Sequence, residues 1–153
     1  MRKKLIKQDE DYTPKYFVEY FGNFDYDPAT TKKQASYLNI YNYDTIDTDG
    51  LNKEWNYKKI WVNPPFTKKF EFLKKAVESY KKYNNEIYIL FPIESMTTKK
   101  FYDAIDNVKF KLYIPNFRLG FIVDDIEYSH GAFGIVVLKL QYIFEIELIN
   151  KGE

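Results

Sequence analysis

The sequence contains no cysteine. That excludes a disulfide framework, a thiolate-bound zinc or iron–sulfur centre and a cysteine nucleophile. Histidine is nearly absent: His130 is the only one, set between Ser129 and Gly131 in a polar stretch that reads as a surface loop. A His-rich metal site and Ser–His–Asp chemistry are therefore not expected, and no metal is. No apolar run approaches the ~20 residues of a membrane span. The opening Met1-Arg2-Lys3-Lys4-Leu5-Ile6-Lys7-Gln8-Asp9 turns polar at once and lacks the apolar region of a signal peptide. Net charge is small as well, 23 Lys+Arg against 22 Asp+Glu for +1, so the molecule as a whole is no polycation. The expectation is a soluble cytoplasmic protein without membrane association. Its 153 residues form one domain able to bury a core, with no separate target-recognition domain.

Aromatic residues are abundant, at 20% with 15 Tyr and 13 Phe. They accompany many Lys, Asn and Ile, all with AT-rich codons, so coding bias accounts for them without invoking base stacking. Charge is unevenly placed. Residues 1–52 carry 7 basic and 9 acidic side chains, residues 53–118 carry 14 and 7, and residues 119–153 carry 2 and 6. The middle third is basic. Lys68, Lys69, Lys74, Lys75, Lys81 and Lys82 share one amphipathic segment there, which suits either a phosphate backbone or a solvated helix face.

Periodicity and punctuation suggest alternating helices and strands. Thr13 as N-cap and Pro14 at the first turn open a helix over 15–21, which Gly22-Asn23 closes. A short strand over 24–27 ends at Pro28. A helix over 29–37 leads to a strand near 37–41, and 42–58 reads as loop. Residues 59–63 form a strand stopped by Pro64-Pro65. Phe70, Leu73, Val77 and Tyr80 mark a helix over 67–82. Further strands fall at 86–91 and 110–114, with a helix over 97–106 between them. Residues 133–142 and 144–149 read as a terminal strand or hairpin. Trp55 and Trp61 belong in the core. Glu94-Ser95-Met96-Thr97-Thr98 follows a strand end, where it lines a cleft or caps the next helix through Thr97. The pattern implies an α/β sheet, parallel in the middle with antiparallel strands at its C-terminal end.

Asn63-Pro64-Pro65-Phe66 stands between a strand and a helix, at the end of a strand where open α/β sheets bind ligands. Proline stiffens the turn and donates no N–H. The Asn63 amide oxygen and the Pro64 carbonyl can thus serve as two acceptors beside the flat face of Phe66. Two acceptors and an aromatic plate suit a planar ring bearing an amino group. The same four residues also make an ordinary rigid turn.

This tetrapeptide resembles motif IV of amino-methyltransferases, (Asp/Asn/Ser)-Pro-Pro-(Tyr/Phe/Trp). Further segments occur in order: Asp11-Tyr12-Thr13-Pro14, Phe24-Asp25-Tyr26-Asp27-Pro28-Ala29, Asp49-Gly50-Leu51, Trp55, Leu90-Phe91-Pro92 and Phe117-Arg118-Leu119. Together, over roughly residues 9–140, they resemble the phage-type DNA N-6-adenine methyltransferase (Dam) family. The resemblance implies a Rossmann-like methyltransferase fold that moves a methyl group from S-adenosylmethionine to adenine N6 in DNA. It implies that Tyr12, Thr13, Pro14, Asp27 and Pro28 bind the cofactor. Asp49 matches the acid near the cofactor adenine, with Asp44 and Asp47 as rivals. Asn63, Pro64, Pro65 and Phe66 would hold the target adenine. Lys68, Lys69, Lys74, Lys75 and Arg118 would contact nucleic acid. A base hidden in a duplex must be flipped out before its amine can react, and with no reading domain in sight, residues 93–100 or 116–131, or a homodimer or partner subunit, would supply specificity. A phage or mobile-element gene acting in a host cytoplasm fits this picture. One departure is the loop after Asp27, Pro28-Ala29-Thr30-Thr31, which lacks the glycines most methyltransferases place there. Methylation of RNA adenine or of a protein glutamine amide, and a catalytically inactive DNA- or protein-binding module, remain alternative readings.

Overall fold

The computed structural model describes residues 13–123, 126–128 and 134–151. The predicted alternation of helix and strand is present. In chain order, helix α1 is Lys15–Glu19, strand β1 Tyr26–Asp27, helix α2 Lys32–Tyr37 and strand β2 Asn42–Tyr43. Strand β3 (Lys59–Val62) leads through a 3-10 turn over Phe66–Lys68 to helix α3 (Lys69–Tyr83). Strand β4 is Glu86–Pro92, helix α4 Lys99–Ile105 and strand β5 Lys109–Pro115. Strands β6 (Phe121–Val123) and β7 (Ile126–Tyr128) form a small separate hairpin, and β8 (Ile135–Gln141) and β9 (Glu145–Ile149) complete the chain.

Seven strands form one sheet in the order β2-β1-β3-β4-β8-β5-β9. β1, β2, β3 and β4 pair in parallel. The reversal is confined to β8, which slots antiparallel between β4 and β5. The terminal hairpin does not form as such: β9 passes β8 by and pairs in parallel with the far side of β5.

Alternation along the central strands fills two cores, as a sheet covered on both faces requires. Ile60, Val62, Ile87, Ile89, Phe91, Val136 and Leu138 pack with Leu73 and Val77 of α3 and with Phe101 of α4. Trp61, Tyr88, Leu90, Ile135 and Val137 face the other way, against Phe17, Val18, Phe21 and Phe24. Trp55 and Trp61 are fully buried. Aromatic abundance has a structural use on the second face. Phe21 meets Trp61, Tyr88 and Tyr113 at ring-centroid distances of 5.7, 5.3 and 5.0 Å, so bulky rings let the short α1 and the turn after it seal that side. No helix among the described residues is long and apolar enough to cross a membrane.

Three local expectations are corrected. Thr13 does not cap α1; Pro14 occupies the cap position without a side-chain hydrogen bond, because the Thr13 hydroxyl is engaged elsewhere. The strand expected near 37–41 forms at 42–43, since Asn39 takes a left-handed turn after α2 and Ile40 drops into the core as loop. Thr98, not Thr97, caps α4 by accepting from the Phe101 N–H at 3.2 Å.

Candidate functional site

The chain moves from β1 to β2 on one side and then returns to β3 on the other. Such a reversal opens a crevice outside the carboxyl ends of the strands. A cleft of about 730 Å³ lies there, within the size range of small-molecule sites. Asp27 through Thr31 line it after β1, and Gln34 lines it from α2. Thr45, Ile46, Asp47, Asp49, Gly50 and Leu51 enclose it after β2. Trp61, Asn63, Pro65 and Lys68 bound it on the β3 side.

Asp27 is 2% exposed. Burial pushes its carboxyl up to about 7, partly offset by the Ala29 N–H donated to Oδ1 at 3.0 Å. A buried carboxyl that receives one backbone hydrogen bond and faces a cleft is suited to a cationic ligand. Gln34, lining the cleft from α2, is 6% exposed. Its Nε2 donates to the Thr13 carbonyl at 3.1 Å, while its buried Oε1 accepts no hydrogen bond.

A close backbone approach is made between the loop after Asp27 and the segment after β2. Gly50 presses on that loop so tightly that a Cβ there would lie 2.0 Å from the Pro28 carbonyl oxygen. The buried Trp55 indole donates to the Gly50 carbonyl at 2.8 Å and pins the segment. Asp49, just before it, adopts a left-handed conformation and accepts from Asn52. Its rivals divide. Asp47 lines the cleft, whereas the Asp44 carboxylate is held by the Tyr26 hydroxyl and does not line it.

At the end of β3, the Asn63 Nδ2 donates to the Thr13 hydroxyl at 2.9 Å. Pro64 is buried, and Pro65 and Phe66 are half-buried. Asn63 and Pro65 border the cleft; Pro64 and Phe66 do not. Phe66 sits instead with Lys69, whose amine lies 4.3 Å from the Phe66 ring centroid and 4.9 Å from that of Phe70.

The model of the DNA N-6-adenine-methyltransferase (Dam) family matches residues 6–146. The chain belongs to that family. It is 25% identical over 107 residues to the DNA N-6-adenine-methyltransferase of Haemophilus phage HP1, covering 70% of this chain and 61% of the relative. It is 30% identical over 90 residues to the one of Escherichia phage T1, covering 56% and 36%. The chain thus spans less than two thirds of the length of either curated relative. A Listeria monocytogenes structure described as a candidate class I S-adenosylmethionine-dependent methyltransferase overlays with TM-score 0.45 and 12% identity, over 90% of this chain and 53% of that one.

Against the Dam-family expectations, Asp27, Pro28, Asp49, Asn63, Pro65 and Lys68 converge on one cleft. Thr13 is wholly buried behind it rather than on its wall, Pro14 is buried at the start of α1, and Tyr12 lies outside the described residues, as does His130. The lysine segment splits. Lys81 pairs with Asp106 at 2.5 Å and Lys82 with Glu54 at 3.2 Å, at the helix end away from the cleft. Lys68 and Lys69 stand at its near end. Lys74 and Lys75 lie along α3, exposed and half-buried. Burial, then the neighbouring Lys100, lowers the pKa of Lys69. Arg118 is exposed and approaches Gly134, where Glu94 accepts the Gly134 N–H at 3.2 Å. Sequence reading passed over Gln34, Gly50 as a packing glycine, and Lys100. A glutamine in a short polar helix carries no visible signal, and Lys100 meets Phe70 and Lys69 only in three dimensions.

Proposed function

We propose that this chain is a single methyltransferase domain that transfers a methyl group from S-adenosylmethionine to the N6 amine of adenine in DNA. The observation that carries this reading is the meeting of Asn63 and Pro65, from the Asn63-Pro64-Pro65-Phe66 corner, with the buried Asp27 on one cleft at the β1–β3 reversal, in a chain of the Dam family.

The residues suit the cofactor. Asp27 supplies a buried negative group, Gln34 an acceptor awaiting a donor, and Asp47 and Asp49 further acceptors along the wall. When bound, S-adenosylmethionine supplies a methyl carbon activated by a sulfonium. Asn63 and the Pro64 carbonyl then accept the two N–H bonds of the target amine. Held so, the nitrogen lone pair points along one line, and the reaction gains chiefly from alignment and exclusion of water. Phe66 lies beside the cleft with the Lys69 amine over its ring, and it would stack on the flipped base once that amine moves to a phosphate. Lys68, Lys69, Lys74, Lys75 and Arg118 draw in the phosphate backbone.

Incubation with tritiated S-adenosylmethionine and unmethylated DNA, followed by nucleoside analysis, tests this. Label in 6-methyladenine is the expected result. Absence of transfer to DNA, or label found only with RNA or protein substrate, overturns it.

A further inference from the structure

One hydrogen-bonded thread runs behind the wall of the cleft. The Asn63 Nδ2 donates to the Thr13 hydroxyl at 2.9 Å, and the Thr13 carbonyl accepts from the Gln34 Nε2 at 3.1 Å. Thr13 is 0% exposed and Gln34 is 6% exposed, so water does not compete for these bonds. We propose that Thr13 is the positioning residue for Asn63, and that Gln34, at the other end of the thread, is a cofactor-binding residue accepting an N–H from the ammonium of the aminoacyl arm.

An asparagine amide carries one acceptor and one donor group, and rotation by half a turn exchanges them. Only the oxygen can accept from a target amine; the NH₂ in its place would repel it. With its Nδ2 on the Thr13 hydroxyl, Asn63 is held before substrate arrives in the orientation that leaves Oδ1 as the acceptor. At Gln34 the same logic runs toward the cofactor. Its Nε2 is committed to Thr13, so what it presents is Oε1, buried and without a hydrogen-bond partner. The Asp27 carboxyl and the Asn63 Oδ1 are further buried acceptors among the residues that line the cleft. A buried carboxyl and an unpartnered amide oxygen lining one cleft suit a group that donates and carries positive charge. On the cofactor that group is the ammonium; the ribose hydroxyls and the adenine amine donate but are neutral. The aminoacyl arm and the reacting methyl leave the same sulfur, which agrees with a thread that ends at Asn63. This inference rests on the methyltransferase reading above.

The test compares wild-type protein with Thr13→Val, Thr13→Ser and Gln34→Met. Methyl transfer to DNA is measured alongside calorimetric binding of S-adenosylhomocysteine and of 5′-methylthioadenosine, which lacks the aminoacyl arm. Thr13→Val is expected to lower kcat about tenfold or more while the Kd for S-adenosylhomocysteine stays within about twofold, and Thr13→Ser to restore kcat, as the loss and return of one buried hydrogen bond predict. Gln34→Met is expected to raise the Kd for S-adenosylhomocysteine about tenfold and leave that for 5′-methylthioadenosine unchanged. Wild-type protein that transfers no methyl group overturns the underlying reading and this inference with it. An active wild type with Thr13→Val equally active, or with Gln34→Met binding S-adenosylhomocysteine normally, overturns the inference alone. Should Thr13→Val fail to fold, the two Kd values of Gln34→Met decide.

Discussion

Asn63 and Asp27 sit on one cleft but are tuned for different work. Asn63 is neutral, half-buried and oriented by a neighbour. Asn63→Ala removes an acceptor for the amine and should cut turnover by about a hundredfold or more, the scale seen when one transition-state hydrogen bond is deleted. Cofactor affinity, read by calorimetry, should not move. Asp27 is an acid held near neutrality by burial. Its carboxyl, at 3.8 when exposed, rises to about 7 in the folded chain. The folded state therefore binds the extra proton, and that contribution to stability is complete below pH 3.8 and is lost as pH rises through about 7. Asp27→Asn should flatten the stability profile across this window and stabilise the cofactor-free protein at pH 8, as denaturant melts at several pH values would show. The variant should also lose cofactor affinity at pH 8, and the wild type should bind cofactor more weakly as pH falls below 7. A wild-type Kd independent of pH between 6 and 8 would count against a charged Asp27 in binding.

Loops rather than strands make the walls, and each loop is braced from behind. The segment after β2 is held by Gly50 against Pro28 and by Trp55 on the Gly50 carbonyl. Gly50→Ala forces a methyl group into the Pro28 carbonyl, where no flexible side chain can yield. It should cost about 1–3 kcal/mol of stability, the usual penalty of overpacking, and weaken cofactor binding by splaying the two loops. Chemical denaturation and calorimetry measure the two effects. Helix α3 is used differently at its two ends. Lys81 and Lys82 are tied in ion pairs with Asp106 and Glu54, whereas Lys69 is massed with Lys100 beside Phe66 and Phe70. Replacing Lys69 and Lys100 by Ala should lower DNA affinity and reduce the slope of log K against log salt by about 0.9 for each phosphate no longer neutralised. Replacing Lys81 and Lys82 should leave that slope unchanged.

The sheet carries the cleft at one edge of its strand ends and the basic cluster next to it, so a cofactor and a polyanion can be held side by side. Cofactor bound in the proposed site would tie α2, the segment after β2 and the β3 corner together, and these come from most of the first half of the chain. Ligand that binds the folded state alone adds about 2.7 kcal/mol at a hundredfold excess over Kd. For a chain of this length that raises Tm by several degrees. Thermal melts with S-adenosylhomocysteine should show the rise, and Asp27→Asn should show less of it.

Much of this was legible along the chain because it is local. Pro64-Pro65 cannot continue β3, and helical spacing from Phe70 to Tyr80 leaves α3 little choice. Strand β4 is buried on both faces, which its unbroken apolar run already implied. The diproline corner and the buried acid at the end of β1 were marked by residue type and by the family resemblance. Other features depend on what folding brings together. Nothing near Thr13 announces that its hydroxyl faces Asn63, fifty residues on, instead of capping its own helix. Likewise β8 and β9 looked like hairpin partners, yet β5 lies between them, because sheet pairing is settled by competition among distant strands. Periodicity and turn chemistry act over a few residues, so they are written in the sequence. The direction in which a buried hydroxyl, amide or strand edge finds its partner is a contest over the whole chain, and only the tertiary structure decided it.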